Sequence, residues 1–176
     1  MHLRVLARRL RFVVPGLILL ALPAWSAWLF VSRWRPSPAD FAVQGVDVSE
    51  AQGPIEWWTA KKAGIDFAYI RATSGAQARD LRFPENWRWT FEAGIRRGAL
   101  HVYSLCQLAA DQSGNFMSTV PRSDDQLPPA VEIDFQPDCS ARPERQVVIT
   151  ELERFLHDVE THIGKPAILM VSSSLD

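Results

Sequence analysis

Between residues 43 and 172, short segments rich in β-branched and aromatic residues alternate with amphipathic ones, and few folds accept that order. VQGVDVS (43–49), IDFAYIRAT (65–73), ALHVYSL (99–105), PAVEIDF (129–135) and PAILMVS (166–172) read as strands. PIEWWTAKKAG (54–64) and PENWRWTFEAGIRRG (84–98) read as helices, each opened by proline and closed by glycine. LAADQSGNFMSTV (108–120) reads as a helix weakened by Gly114. ERQVVITELERFLHDVETHIG (144–164) is the clearest helix: Val148, Leu152, Phe155, Val159 and Ile163 recur at spacings of three and four. Strands alternating with helices specify βαβ units and a parallel sheet. GVDVSEAQG carries no glycine-rich fingerprint, which disfavours a dinucleotide-binding sheet. A full barrel needs about eight strands and usually roughly 200 residues or more. The expectation is therefore an α/β fold that is a smaller sheet or an incomplete barrel.

The first 35 residues differ in kind. Arg4, Arg8, Arg9 and Arg11 precede FVVPGLILLALPAWSAWLFV (12–31), which is free of charge, and Arg33 and Arg35 close it. At about 1.5 Å per residue, a helix of that length spans about 30 Å, the thickness of a bilayer core. The excess of positive charge before the span predicts a cytoplasmic N-terminus and an exported remainder, anchored once in the cytoplasmic membrane. Trp25, Trp28 and Trp34 suit an interfacial aromatic belt at the outer end. Cleavage near Ala24-Trp25-Ser26 is the alternative and yields a secreted protein. The expected organisation is thus residues 1–35 as basic stub and anchor, 36–43 as linker and 44–176 as the exported domain. The net charge of -1 gives no basic field for nucleic acid.

In PAVEIDF, alternation turns Val131, Ile133 and Phe135 toward covering helices and Glu132 and Asp134 the other way. In the first strand Asp47 opposes Val46 and Val48. Phe67, Tyr69 and Arg71 share one face of the second strand; His101 and Tyr103 share one face of the third, Leu100 and Val102 the other. If the strands run parallel, Asp47, Glu132 and Asp134 converge near their carboxyl ends, where such folds place their sites. Crowded carboxylates raise one another's pKa, so one serves as acid while another stays ionised, as glycoside hydrolysis requires. Their spacing along the strand spans both the retaining and the inverting separation. The competing reading is structural: Glu132 or Asp134 pairs with Arg71, Asp47 caps a loop, His101 is a hydrogen-bonded core residue, and Trp57 and Trp58 pack a helix. The two cysteines, Cys106 and Cys139, are too few for a disulfide scaffold and lack zinc spacing. In an exported chain they form a disulfide or remain two thiols.

In order, GVDVSEAQG, IDFAYIRATSG, the D-x-x-F-x-x-N of DLRFPEN (80–86), AGIRRGALHVYSL, ADQSGNF, LPPAVEIDF and GKPAILMV resemble glycoside hydrolase family 25, the Chalaropsis-type lysozymes. The resemblance covers residues 44–172. It implies a modified β/α barrel that cleaves the β-1,4 bond between N-acetylmuramic acid and N-acetylglucosamine in peptidoglycan, without metal or organic cofactor. Asp47 matches the aspartate of the family's first strand. The family's usual Asp-x-Glu stands here as Glu132-Ile133-Asp134, with Asp134 at the general-acid position and Glu132 at that of the aspartate. Tyr69, His101 and Tyr103 match substrate-side positions, and Ser74 stands where ATEG-type sequences carry glutamate. The family continues past GKPAILMV with further strands, so a truncated C-terminus is expected. Cys106 and Cys139 follow neighbouring strands, which suits a disulfide across the site end.

Two functions compete: a membrane-anchored peptidoglycan muramidase, and a weak or inactive peptidoglycan-binding protein on the same scaffold, favoured by the exchanged acids. A metal-dependent phosphodiesterase also uses E-x-D pairs. That chemistry wants histidines at the first strand, and GVDVS has none.

Overall fold

The computed structural model describes residues 21–31, 34, 36, 37, 39–134, 139 and 143–171. They fall into two units that divide between Ala42 and Val43. In the first unit, residues 21–31 form helix α1. Its Trp25 and Trp28 rings lie 5.2 Å apart and are exposed. The expected membrane span begins at residue 12, and residues 12–20 lie outside the described residues. Among the described residues no helix is long and apolar enough to cross a membrane.

The second unit runs β1 (Gly45–Val48), a 3-10 turn (Glu50–Gln52), α2 (Trp57–Lys62), β2 (Phe67–Ser74), β3 (Ala78–Arg79), α3 (Phe83–Glu92), β4 (Arg96–Tyr103), α4 (Ala109–Thr119), β5 (Ala130–Ile133), α5 (Arg145–Ile163) and β6 (Ile168–Val171). The sheet order is β1-β2-β4-β5-β6, all parallel, with β3 antiparallel on β2. The alternating order of the sequence has become a parallel sheet with crossover helices. Val48, Ile70, Val131 and Ile133 from the sheet meet Trp57, Phe83, Phe116, Phe155 and Val159 from the helices in one core. Fully burying each such side chain contributes about 1.5–3 kcal/mol. β6 forms one edge, and all four of its residues are exposed.

Two expectations need correction. The helix read over 84–98 stops at Glu92, because Gly94, not Gly98, is the left-handed residue that ends it, with φ +68°. Gly98 lies inside β4, where a Cβ would stand 2.3 Å from Cε1 of Tyr69. The glycine there makes room for an aromatic ring rather than for a turn. The short strand β3 went unread because two residues carry no periodicity. Phe135, at the end of the fourth predicted strand, lies outside the described residues.

Motif positions that look chemical turn out to hold loops. Asp80 is buried; its Oδ2 accepts from Glu50 N at 2.7 Å and its Oδ1 from Arg82 N, while Glu50 Oε2 accepts from Leu81 N. Phe83 packs on Trp87, and Asn86 Oδ1 accepts from Trp57 Nε1 at 3.1 Å. DLRFPEN is thus a clamp between the loops that follow β1 and β3. In ADQSGNF, Asn115 donates to Gly75 O and Ala78 O and accepts from Arg79 Nε, fixing the β2–β3 hairpin on α4.

Candidate active site

Register assigns each side chain to a face of the sheet. Val102 pairs with Glu132 and His101 with Val131. Val131 belongs to the core under the helices. Glu132 therefore points to the opposite face, together with Ala130, Leu100, Val102 and Tyr69.

His101 and Tyr103, expected beside the acids, instead face the helices. Both are buried, His101 stacked on Phe155 at 4.7 Å and Tyr103 edge-on to the same ring at 5.2 Å. Alternation from Ala99, which pairs with core residue Ile70, puts both on that side, and a bulge in β2 between Arg71 and Thr73 sets which β2 residue meets His101. The shift turns Thr73 to the helix side, where its Oγ1 lies 2.7 Å from His101 Nδ1. His101 Nε2 faces Gln112 Oε1, which also accepts from Ser104 N, while Gln112 Nε2 donates to Ser104 O and Gln107 O. Gln112 Oε1 can only accept, so His101 carries its proton on Nε2 and takes the Thr73 hydroxyl proton at Nδ1. Burial drives the His101 pKa down to about 4, with the Gln112 bond opposing, so the ring is neutral at pH 7. Burial, and then the Glu151 carboxylate, push the Tyr103 phenol up to about 12. Both residues are structural on this geometry, as the competing reading held for His101.

On the other face, three levels follow from the register. Asp47, Tyr69 and Gly98 share the first; Arg71, Leu100 and Ala130 the second; Ser74, Val102 and Glu132 the third. Asp134 follows Glu132 by two residues, just past the end of β5. Asp47 is exposed, and Glu132 and Asp134 are half-buried. Tyr69 is half-buried over Gly98, and burial raises its phenol pKa while Arg96 lowers it. The structure thus brings Asp47, Tyr69 and Glu132 to one face at different heights. Ser74, the departure from ATEG, lies level with Glu132. The four ion pairs among the described residues are Arg82–Glu85, Arg88–Glu92, Arg97–Asp125 and Arg154–Glu151, so Arg71 pairs with neither acid of β5. Trp57 is core, whereas Trp58 is exposed and packs edge-on to Trp89 of α3 at 5.2 Å. Among the described residues no group of three His, Cys, Asp or Glu side chains is placed to hold a metal ion.

The rim beyond the strand ends is cross-linked. Cys106, after β4, is bonded to Cys139, five residues beyond Asp134, with Cα atoms 5.3 Å apart. Beside it Gln107 Oε1 accepts from Ala76 N in the β2–β3 turn. Gln112 fixes the same loop from below. Sequence reasoning singled out none of Gln107, Gln112 and Arg71 as a site or rim residue. Arg71 entered only as a structural ion-pair partner of the acids, and Gln112 only within the quoted motif ADQSGNF.

Residues 46–174 match the glycosyl hydrolases family 25. YegX of Escherichia coli K12 is 32% identical over 137 residues, which are 75% of this chain and 49% of that protein. The chain therefore spans about half the length of the YegX relatives it matches. Lysozyme M1 of Streptomyces globisporus is 52% identical over 65 residues, 36% of this chain and 22% of that one. Among solved structures, a family 25 glycosyl hydrolase from Bacillus anthracis superposes with a TM-score of 0.72 at 32% identity, covering 75% of this chain and 61% of that one. The lysozyme of Streptomyces coelicolor gives 0.68 at 31% identity, covering 75% and 64%.

Proposed function

This chain belongs to glycosyl hydrolase family 25, and from that premise we propose that it is a peptidoglycan muramidase that hydrolyses the β-1,4 bond between N-acetylmuramic acid and N-acetylglucosamine. The observation that carries the reading is Glu132 at the carboxyl end of β5, on the face turned away from the helix-side core, with Asp134 next but one along the chain. That is where a parallel α/β sheet presents its reactive groups. Asp134 acts as the general acid on the leaving oxygen. Glu132 stays ionised and meets the positive charge that develops at the anomeric carbon or activates water. Asp47 adds a third carboxylate on the same face, and Tyr69 offers an aromatic wall with a protonated hydroxyl. The exchanged acids leave the proton donor one methylene shorter than the family's glutamate; a displacement of about 1 Å costs about a hundredfold unless the site adjusts.

The sheet is read as part of the family's β/α barrel, and residues 12–31 as a membrane anchor that holds the domain on the outer side of the cytoplasmic membrane. Alkaline extraction of membranes tests the anchor: an integral protein stays with the lipid, a cleaved or peripheral one leaves. The activity test is digestion of purified peptidoglycan by the full chain beside its Asp134→Asn variant, with new reducing ends read by mass spectrometry. Muropeptides ending in reducing N-acetylmuramic acid, lost in the variant, are expected. A folded protein that binds peptidoglycan and releases nothing would instead support the non-catalytic reading.

A further inference from the structure

Three buried side-chain nitrogens among the described residues lack a hydrogen-bond partner: Arg71 Nε, Asn86 Nδ2 and Arg97 Nε. Two of them sit in settled surroundings. Asn86 is engaged with Trp57 through its other atom. Arg97 stacks on Trp87 and Phe91, donates to Trp87 O and faces Asp125. Arg71 alone of the three belongs to the face that carries the acids. It occupies the level between Asp47 and Glu132, with Leu100 beside it in register and Ala130 one strand beyond, neither of which offers it a polar side-chain atom.

An unmet buried N–H costs about 1–3 kcal/mol. A guanidinium has five donors and no acceptor, so what satisfies it must bring an acceptor oxygen. No ion pair among the described residues supplies one. On the muramidase reading, the molecule that lies across this face is an N-acetylated β-1,4 glycan. Its acceptors are hydroxyls, ether oxygens, the acetamido carbonyl and, on the muramic sugar alone, the lactyl carboxyl group; the acetamido carbonyl is the strongest acceptor that both sugars carry. We propose that Arg71 is a specificity-determining residue of the site, its guanidinium donating to the acetamido carbonyl of a sugar bound between Asp47 and Glu132. Arg71 then selects glycans that carry N-acetyl groups and sets the sugar's height against Glu132 and Asp134. This inference rests on the muramidase reading and adds to it a residue that touches substrate without moving a proton.

The test uses the full chain carrying Asp134→Asn, so that bound glycan is not cleaved. The probe is soluble peptidoglycan glycan strands labelled with 13C at the acetamido carbonyls, followed by NMR. The parent is expected to shift one bound carbonyl signal. Adding Arg71→Met should weaken binding roughly tenfold or more, the range for losing a hydrogen bond from a charged donor. It should also abolish that shift even at saturating glycan, and Arg71→Lys should restore part of both. A carbonyl shift that persists in saturated Arg71→Met overturns the proposal, even if affinity falls, because a residue that merely shapes the strand would do that. A parent that binds no glycan overturns the muramidase reading itself, and this inference with it. Binding without any carbonyl shift overturns the inference alone.

Discussion

On the helix side of the sheet, wholly buried His101 gives both ring nitrogens to protein partners, while on the acid-bearing side Arg71 keeps a buried Nε that none satisfies. The same contrast extends outward from these two residues. Helix-side Gln112 makes four hydrogen bonds and Asn115 three. Across the sheet, neither Glu132 nor Arg71 joins any ion pair among the described residues. Polar groups that serve the fold are mostly saturated from within, Asn86 Nδ2 and Arg97 Nε excepted, because an unmet one in the core carries its full desolvation cost. Polar groups that serve a bound molecule must keep their capacity open. The difference separates structural from functional polarity on two sides of a sheet that is one strand thick.

Substitutions can break or sharpen this contrast. The largest effect belongs to the open face: Asp134→Asn should lower peptidoglycan release between about a hundredfold and ten-thousandfold while moving the unfolding free energy by no more than about 1 kcal/mol. If rate and stability fell together, the two faces would not be separable. On the packed face, His101→Ala should cost about 3–4 kcal/mol in denaturant unfolding, since it removes a stacked ring and strands Thr73 and Gln112. The folded fraction of that variant should retain its turnover. Acid should reveal the same residue without mutation. Folded His101 takes its proton only near pH 4, the unfolded residue near 6.5, so between those values the unfolded chain binds more protons. This part of the stability is complete above pH 6.5 and is lost as the pH falls toward 4, at most about 3 kcal/mol. Denaturant midpoints measured across that window should slope accordingly, and more gently in His101→Phe; equal slopes would remove His101 from the account. The smallest effect couples the two functions. Gly98→Ala should cost about 1 kcal/mol, as its Cβ displaces the Tyr69 ring, and should weaken glycan binding by titration.

Much of this was legible in the chain. Period-two alternation put Val131 and Ile133 under the helices and Glu132 opposite, and proline and glycine punctuation marked most helix ends. The exceptions share one cause, namely that they depend on partners distant in sequence. Which of Gly94 and Gly98 ends α3 turns on the Tyr69 ring from another strand. The face of His101 depends on its register against β5, which alternation within one strand cannot fix. The bulge after Arg71 reverses the phase of β2 with no glycine or proline to announce it. The acids of DLRFPEN and the amides of ADQSGNF look like chemistry until the loops they tie together are in place.

The bond between Cys106 and Cys139 also has a topological meaning. It closes a covalent ring of chain that contains α4 and all of β5, so both acids ride on a loop rather than on an open thread. A protease that cuts once anywhere between the two cysteines opens that ring into a branch but liberates nothing. The cut ends stay tethered on either side of the bond, and the strand bearing Glu132 and Asp134 remains joined to the rest of the molecule. A single nick there leaves the strand that carries Glu132 captive.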